Sequence, residues 1–419
     1  MEAKIYRGAE EIGGNCIGLQ TGQTKILVDF GLPLDFDDRS KEEQDKVWAE
    51  AGMWAKDVHA VFISHSHPDH YGLLPALPKG TPVFMTEGTR ILLACNPFNG
   101  IKVEEYTIIT VQSEETFTYR DFTVTAYDVD HSSYGACAFH FQAEGKSVLY
   151  SGDIRLHGRK GSLYKILPRK VDYLFLEGTN LGAGVDRKCE KEFVLEKRFA
   201  SAFKKTADSL HLVWCSGQNI DRMVTLFKAC LRSNRQLVVD PYTAVVLDEV
   251  AKRSPNIPNV LGFNGVKVYY PQRLTTCLHK KCGSRYTTYL QPGVNKVTYK
   301  DINENPGAYV MVVRESTLDY IKRLSVPSVC FTLSTWRGYW EEQRPKTVKF
   351  REWIESHCHI MEDIHTSGHA DVAGLRRLVK YIEPGNIVPI HTENAVLFSQ
   401  KIDNSKPVFV LYNNTTYKL

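Results

Sequence analysis

Three histidines and one aspartate stand directly after an apolar run, and this feature constrains the chain more than any other. Residues 58–63 are apolar and of strand length, and the next residues include His65, His67, Asp69 and His70. So many ionisable side chains at the end of a strand have no packing purpose. Imidazole and carboxylate donors together suit zinc, with manganese also possible. The spacing lets His65 and His67 converge on one ion, while Asp69 and His70 turn toward a second.

Four residues do not complete two coordination shells, so further ligands are expected where other strand-like runs end. Three candidates stand at such ends: His131, Asp153 and His391. Asp153 is the natural bridging carboxylate. We expect the first ion at His65, His67, His131 and Asp153, and the second at Asp69, His70, Asp153 and His391. Two divalent ions about 4 Å apart activate water and clamp the oxygens of an in-line displacement, which indicates hydrolysis and fits a phosphodiester best.

The order of apolar patterns predicts an α/β protein in three stretches. Residues 1–184 alternate strand patterns with short helices, as in 25–29, 122–129 and 136–142. Glu144-Gly145 predicts a hairpin turn from the last of these to the strand pattern 147–150. Residues 185–340 change to longer helices separated by short strands, which is typical of a separate α/β domain. Residues 341–419 resume the first pattern. The simplest organisation is a two-part catalytic domain interrupted by an inserted domain.

The composition is that of an ordinary globular protein, with 43% hydrophobic and 24% charged residues. No apolar run approaches the roughly 18 residues of a membrane span, and no signal peptide is visible, so we expect a cytoplasmic protein without membrane contact. The ten cysteines are mostly isolated. Cys277, His279 and Cys282 could recruit a metal, but they lack a recognisable second half, and this is a minor alternative.

The formal net charge of +4 is too small to indicate nucleic acid, but its distribution is informative. Residues 267–300 contain seven Lys or Arg and no Asp or Glu, interleaved with Tyr269, Tyr270, Tyr286, Tyr289 and Tyr299. Cations that meet phosphates and rings that stack on bases suit a groove for single-stranded nucleic acid. A solvated, Tyr-rich β-hairpin is an equally good interpretation.

The ligand pattern resembles that of the metallo-β-lactamase superfamily, whose signature is H-x-H-x-D-H followed by a later His, Asp and His. Further segments resemble ribonuclease J-type enzymes of the β-CASP family: Glu10-Glu-Ile-Gly-Gly-Asn15, Ile26-Leu-Val-Asp-Phe-Gly31, Asp128-Val-Asp-His131-Ser and Ser151-Gly-Asp153. The resemblance implies an αββα metallo-β-lactamase sandwich with an inserted α/β β-CASP domain. Residues 1–184 and 341–419 would form the sandwich, and 185–340 the insertion.

The β-CASP motifs also have counterparts. They are Glu177 after a strand, His369 in a Thr-Ser-Gly-His turn, and His391, which in this family favours RNA over DNA. His369 would protonate the leaving 3′-oxygen as general acid, and Glu177 would orient its ring and raise its pKa. Asp69 is counted with them as catalytic, and Asp29 is a plausible outer partner of a ligand histidine.

Two turns are candidates for phosphate binding through backbone N–H groups. Their residues are Ser216, Gly217, Gln218 and Asn219, together with Ser367 and Gly368. For the first turn, a helix cap and a simple turn are at least as good an interpretation.

The expected function is therefore a metal-dependent ribonuclease that hydrolyses single-stranded RNA by a hydroxide activated at two metal ions. The mode of cleavage, 5′–3′ exonucleolytic, endonucleolytic or both, stays open, as does the oligomeric state. A small-molecule or cyclic-nucleotide phosphodiesterase and a DNA nuclease are the alternatives that use the same residues. A catalytically silent scaffold is disfavoured, because none of the seven expected ligands is missing.

Overall fold

The chain forms two compact units. The computed structural model describes residues 1–182, 184, 186, 188–286, 295–403 and 405–419. The first unit comprises Met1–Ala94, Phe98–Cys189 and Gly368–Leu419, and the second comprises Cys95–Pro97 and Glu190–Ser367. Among the described residues, no helix has both the length and the apolar character needed to cross a bilayer.

The strands are β1 Glu2–Arg7, β2 Cys16–Thr21, β3 Thr24–Val28, β4 Ala60–Phe62, β5 Pro82–Thr86, β6 Thr107–Val111, β7 Thr116–Tyr119, β8 Phe122–Asp128, β9 Cys137–Ala143, β10 Lys146–Tyr150, β11 Tyr173–Glu177, β12 Leu210–Trp214, β13 Gln236–Val239, β14 Val266–Val268, β15 Tyr309–Val313, β16 Val329–Leu333, β17 His359–Ile360, β18 Asn386–Ile390 and β19 Thr415–Lys418. The helices are α1 Lys41–Trp54, α2 Pro68–Tyr71, α3 Glu87–Cys95, α4 Glu192–Lys205, α5 Ile220–Arg232, α6 Pro241–Ala251, α7 Gln272–Cys282, α8 Tyr299–Glu304, α9 Leu318–Ile321, α10 Arg337–Glu341, α11 Pro345–His357, α12 Val372–Ile382 and α13 Phe398–Lys401.

The first unit is a sandwich of two sheets. Its described strands form one sheet in the order β19-β1-β2-β3-β4-β5-β6 and another in the order β18-β11-β10-β9-β8-β7. A layer of aromatic side chains fills the space between the sheets, with the Phe62 ring centroid 5.5 Å from that of Phe139 and 5.2 Å from that of Phe141. Helices α1 and α3 pack on the outer face of the first sheet, and α12 packs on the outer face of the second. The αββα prediction is confirmed.

Local sequence signals explain why these elements form where they do. Helix α1 begins after Ser40, whose side chain accepts from the Glu43 backbone N–H while the Glu43 carboxylate accepts from the Ser40 N–H, a complete capping box. The β9–β10 hairpin turns at Glu144 and Gly145, with φ of 50° and 69°. Positive φ at both central residues is the conformation that a two-residue hairpin requires, so the hairpin expected in this part of the sequence is confirmed.

The second unit is a separate α/β structure built on a parallel sheet of order β14-β13-β15-β12-β16-β17 among its described strands. Helices cover both faces, since Leu212 of β12 packs with Phe350 of α11 while the neighbouring His211 lies against Phe203 of α4. Inside the unit, the buried guanidinium of Arg222 lies 3.0 Å from the Glu192 carboxylate.

The sequence boundaries of the inserted unit differ from those of the structure. We expected residues 185–340, but the unit begins at Glu190 and continues through Ser367. The physical reason is α11, because Phe350 and Ile354 are buried in the core of the second unit with Leu212 and Phe331. An amphipathic helix carries no signal of the sheet on which it packs, so periodicity alone assigned it to the other unit.

In its described residues, 267–286 and 295–300, the basic, Tyr-rich stretch is neither a hairpin nor a row of exposed rings. Residues 272–282 form α7, so the hairpin interpretation is wrong. Tyr269 is buried with its hydroxyl donating to the Val312 carbonyl, and Tyr286 is buried and donates to Cys95. The expectation that these two rings stack on bases is therefore wrong, and Tyr289 lies outside the described residues. Tyr270 and Tyr299 are half-buried.

The minor alternative of a second metal site is not supported either. Cys277 and Cys282 are five positions apart on α7, which places them on different faces of the helix. Within residues 1–182, 188–286, 295–403 and 405–419, the groups able to hold a metal do not include Cys277, His279 or Cys282.

The aromatic layer should carry much of the stability of the first unit. We expect Phe62→Ala to lower the free energy of unfolding by about 3–5 kcal/mol, because it removes a fully buried ring and leaves a cavity. Denaturant titration followed by circular dichroism measures the change. Phe193→Ala, which truncates a ring that is 49% exposed on α4, is the matched control and should change the free energy little. Equal effects of the two substitutions would contradict this account of the core.

Candidate metal centre

The ends of several strands meet at one edge of the sandwich. Strands β3 and β4 are parallel neighbours in one sheet, and β10, β11 and β18 are parallel neighbours in the other. Parallel strands point their carboxyl ends to the same edge of a sheet. The residues that follow or end these strands carry the predicted site: Asp29, His65, Asp153, Glu177 and His391.

The first group of donors consists of three imidazole nitrogens and one carboxylate oxygen. His67 Nδ1 lies 3.0 Å from His65 Nε2 and 3.1 Å from His131 Nε2. Asp153 Oδ2 lies 3.4 Å from His65 Nε2 and 3.8 Å from His131 Nε2. Ligands bound at 2.0–2.1 Å in a tetrahedron are separated by about 3.3 Å, so these spacings suit one tetrahedral ion.

The second group also borders Asp153. Asp69 Oδ2 is 3.5 Å from His70 Nε2 and 3.2 Å from His391 Nε2. Asp153 Oδ2 is 3.2 Å from His70 Nε2, and Asp153 Oδ1 is 3.8 Å from His391 Nε2. The structure therefore brings all seven sequence-predicted ligands together, with Asp153 next to both groups.

The donor chemistry of the second group fits a cation. His70 Nδ1 lies 2.7 Å from the Asp29 carboxylate, which can only accept, so Nδ1 carries a proton. The other nitrogen, His70 Nε2, and also Asp153 Oδ1, are buried and have no hydrogen-bond partner in the part of the chain that the structure describes. Burial opposes a charge on His70, yet Asp153, Asp69 and Asp29 together raise its pKa well above the usual range. A divalent ion would satisfy the same negative surroundings.

The first group is ready to donate lone pairs at neutral pH. Burial lowers the pKa of His67 to about 4, although Asp69 and Asp153 oppose the shift. Burial, with neighbouring histidines, also holds the pKa values of His65 and His131 well below the usual range. Neutral imidazole is the form that ligates metal, and the centre therefore fits divalent metal ions.

Asp29 connects the centre to the sandwich. Its Oδ1 accepts from the Ser64 backbone N–H at 2.7 Å, and its Oδ2 accepts from the Tyr150 hydroxyl at 2.5 Å and faces His70. The residue has a φ of 55°, a conformation that Asp tolerates better than most residues. Close packing continues at Gly31, where a Cβ would lie 1.7 Å from the Asp69 carbonyl oxygen. Asp29 thus fixes the ring of His70 from behind, as the sequence suggested.

The loop that carries His131 is held by residues that sequence reasoning missed. His131 Nδ1 lies 2.6 Å from the carbonyl oxygen of Gly368 and donates to it, which leaves Nε2 free for the donor group. The buried ion pair between Asp130 and Arg155, with 2.9 Å between Oδ1 and Nε, fixes the residue just before His131. In the sequence, the only indication of these contacts is that Asp130 directly precedes the candidate ligand His131.

Glu177, Thr179 and His369 form a second cluster beside the donors. The Glu177 carboxylate is buried and accepts from the backbone N–H groups of Ala370 at 3.2 Å and Thr179 at 3.0 Å. His369 Nδ1 lies 3.5 Å from Glu177 Oε1 and 3.7 Å from Asp153 Oδ2. Burial lowers the pKa of His369, but Asp153 and Glu177 outweigh it and raise the pKa to about 9.

His369 also has the geometry of a possible ligand. One nitrogen of His369, one of His391 and one oxygen of Asp153 lie within 4.8 Å of one another. Its side chain keeps 21% of its surface exposed, against 1% for His391. His369 is therefore more exposed than the buried donors His65, His70, His131 and His391.

Two backbone N–H groups at the predicted phosphate-binding turn of the second unit already have hydrogen-bond partners. Asn219 caps α5 by accepting from the Arg222 backbone N–H, and the Ser216 hydroxyl accepts from the Gln218 N–H. These contacts agree with the cap and turn that the sequence left open as alternatives. Ser367 is the last residue of the second unit, and Gly368, which begins the last segment of the first unit, packs against His131 and Ser132.

Two family models match the chain. A Beta-lactamase superfamily domain matches residues 38–183, and a Zn-dependent metallo-hydrolase RNA specificity domain matches residues 353–411. The first range contains Asp69, His131 and Glu177, and the second contains His369 and His391. Both matches, together with relatives named as ribonucleases, support a β-CASP protein of the metallo-β-lactamase fold.

The curated relatives of this chain are distant. A probable RNase MJ4 of Methanocaldococcus jannaschii is 30% identical over 46% of this chain and 49% of its own length. An Integrator complex subunit 11 homolog of Dictyostelium discoideum is 22% identical over 94% of this chain and 57% of its own length. Ribonuclease J of Mycoplasma genitalium is 25% identical over 56% of this chain and 43% of its own length. The chain thus spans about half the length of the curated relatives it matches.

A solved structure shares the fold. The crystal structure of a protein of unknown function from Enterococcus faecalis V583 superposes with a TM-score of 0.78 at 18% identity, covering 100% of this chain and 99% of that chain.

The contact between Asp29 and His70 predicts a selective effect on the second donor group. In Asp29→Asn, the amide oxygen must stay at the Ser64 N–H, so the amide NH2 faces His70 Nδ1. His70 then moves its proton to Nε2, the nitrogen that faces the donors. We expect metal affinity at the second group to fall about 10–100-fold, the usual effect of losing an outer partner.

Metal content after dialysis against buffered metal, measured by mass spectrometry, checks this prediction. Asp45→Asn on the exposed face of α1 is the matched control and should keep the wild-type content. Wild-type affinity at both groups in Asp29→Asn would show that Asp29 does not set the proton on His70.

Proposed function

We propose that the protein is a metal-dependent ribonuclease that hydrolyses phosphodiester bonds of single-stranded RNA. The observation that carries this proposal is the pair of donor groups sharing Asp153, with His369 and Glu177 directly beside them. The match to an RNA specificity domain and the relatives named as ribonucleases support RNA as the substrate. Endonucleolytic and 5′–3′ exonucleolytic cleavage are both compatible with this site.

In the proposal, His65, His67, His131 and Asp153 hold one ion. Asp69, His70 and His391, with Asp153, hold the other. We propose zinc, because imidazole nitrogen dominates the donor set and the spacings suit a tetrahedron. When bound, two divalent ions supply activation of water and neutralisation of the phosphate charge. Asp69 is included among the catalytic residues because it is the carboxylate specific to the second group.

The proposed general acid is His369. Its Nδ1 faces Glu177 and Asp153, and in the proposal its Nε2 protonates the leaving oxygen. The neighbouring carboxylates of Glu177 and Asp153 favour the protonated ring, the state that an acid requires. Glu177 is fixed by two backbone N–H groups and orients the ring. Protonation of the 3′-oxygen by His369 would assist its departure.

We further propose that backbone N–H groups of two turns contact RNA phosphates. Ser367 and Gly368 precede the acid, and Ser216, Gly217, Gln218 and Asn219 precede α5. The positive end of the α5 dipole supports an anion at the second turn.

Cleavage by this protein should be selective for RNA and should depend on the metal ligands. With zinc or manganese present, the protein should cleave a 5′-monophosphorylated, 3′-labelled single-stranded RNA and spare the matching DNA. Asp69→Ala should abolish cleavage while the circular dichroism spectrum is unchanged, because one ligand of the second group is lost. Asp45→Ala on exposed α1 is the control and should cleave like the wild type.

Three results would contradict this prediction. Cleavage retained by metal-stripped Asp69→Ala would exclude the two-metal mechanism. Inactivity of the wild type on both polymers, with two ions bound per chain, would instead favour a small-molecule or cyclic-nucleotide phosphodiesterase. DNA cleavage at the rate of RNA would exclude RNA selectivity.

Replacement of His369 distinguishes its role as general acid from a role as metal ligand. His369→Ala should slow cleavage by roughly two to four orders of magnitude, as loss of a general acid does, with metal content unchanged. Single-turnover kinetics and metal analysis of the same sample measure both quantities. His279→Ala, which removes an exposed imidazole from α7, is the control and should change neither. A His369→Ala protein that lacks one ion would identify His369 as a ligand, in the third grouping with Asp153 and His391.

A further inference from the structure

The hydroxyl of Thr179 lies between the imidazoles of His391 and His369. Thr179 Oγ1 is 2.7 Å from His391 Nδ1 and 3.1 Å from His369 Nδ1. We propose that Thr179 is a positioning residue that ties a metal-ligand ring to the ring of the general acid, an inference that rests on the proposed function of this site. The consequence is that metal binding and the placement of the acid depend on one hydroxyl group.

The proton on His391 determines what this hydroxyl does. His391 Nε2 faces the Asp69 carboxylate at 3.2 Å and belongs to the second donor group. A ligating nitrogen needs its lone pair, so the proton of the neutral ring must be on Nδ1. Nδ1 then donates to Thr179 Oγ1 at 2.7 Å. Thr179 therefore selects the His391 tautomer that can bind metal.

Thr179 differs from the outer partners of the other ligand histidines. His70 donates to the Asp29 carboxylate and His131 to the Gly368 carbonyl, and these oxygens only accept. A hydroxyl oxygen has two lone pairs, so it can accept hydrogen bonds from two rings and still donate its own hydrogen. In the protonated acid, Nδ1 of His369 is a donor like Nδ1 of His391, so Thr179 Oγ1 can accept from both rings, at 3.1 Å and 2.7 Å. Its own hydrogen then faces the His391 carbonyl oxygen at 3.5 Å.

The surrounding backbone keeps the hydroxyl in this place. The Thr179 N–H donates to Glu177, and the side chain of the next residue, Asn180, donates to the carbonyl oxygens of His369 at 2.9 Å and Ala370 at 3.1 Å. The His369 and His391 rings lie nearly parallel, with 5.5 Å between centroids and 26° between planes. A β-branched side chain also restricts χ1, so Thr179 holds both rings at a defined separation.

Thr179→Val removes the hydroxyl and keeps the shape of the side chain. We expect the affinity for zinc, measured by competition with a chromophoric chelator, to fall about 10–100-fold at one of the two ions. At saturating zinc, kcat for the RNA should fall by a similar factor with KM nearly unchanged, because the acid ring is misplaced. Thr179→Ser keeps the hydroxyl and should restore most of both quantities.

Two comparisons make the test specific. Thr125→Val removes a hydroxyl of β8 that bonds Thr116 of β7 and contacts none of the donors, and should leave zinc affinity and kcat unchanged. Thr179→Ala tests the same loss with a smaller side chain, should the valine variant not fold, as judged by its melting curve.

Wild-type zinc affinity in Thr179→Val would overturn the inference, as would equal losses in Thr179→Val and Thr179→Ser, which would indicate packing instead of hydrogen bonding. The zinc measurement does not depend on the substrate. A wild-type protein that leaves RNA intact would overturn the proposed function, while the difference in zinc affinity would still decide the role of Thr179 at His391.

Discussion

The buried carboxylate of Asp153 is the group around which the site is arranged. Its Oδ2 lies between 3.2 and 3.8 Å from nitrogens of His65, His70 and His131, and its Oδ1 lies 3.8 Å from His391. Burial alone would raise its pKa, but His391, His70 and the other rings hold the pKa well below the usual range. A buried anion is tolerated only when cations or strong donors surround it. The surroundings of Asp153 therefore depend on strands of both sheets ending at one edge of the sandwich.

Three ring nitrogens that do not face the centre contact oxygen atoms, and these contacts matter to the site as much as the donor atoms do. His70, His131 and His391 each present one nitrogen to the centre and the other to an oxygen, from Asp29, Gly368 and Thr179 respectively. These oxygens decide which nitrogen carries the proton, and so whether a ring can ligate. Two of the residues involved have a strained backbone, since Asp29 and His391 have φ of 55° and 52°. The packed sandwich supports these conformations, because both residues follow strands whose side chains are buried in its core.

Much of the fold was predictable because its signals are local. Strand lengths, the turn at Glu144 and Gly145, and the αββα arrangement implied by the ligand motifs are present in the structure. The second boundary of the inserted unit was not predictable, because α11 has the same kind of amphipathic pattern whichever sheet it covers. The prediction for Tyr269 and Tyr286 was wrong. Neighbouring lysines indicated exposed rings, but both tyrosines are buried and their hydroxyls donate to backbone carbonyls.

The sequence by itself determined the chemical type of the site. Histidines and carboxylates at the ends of apolar strands indicate a divalent metal site, since no packing role accounts for them. Only the tertiary structure decided which atoms meet. The contacts of His391 with Asp69 and Thr179 join residues 322 and 212 positions apart in the chain. Thr179, Arg155 and the Gly368 carbonyl carry no local pattern, because a hydrogen-bond partner is defined by where the folded backbone places it. The protons on the ligand rings are therefore a property of the fold.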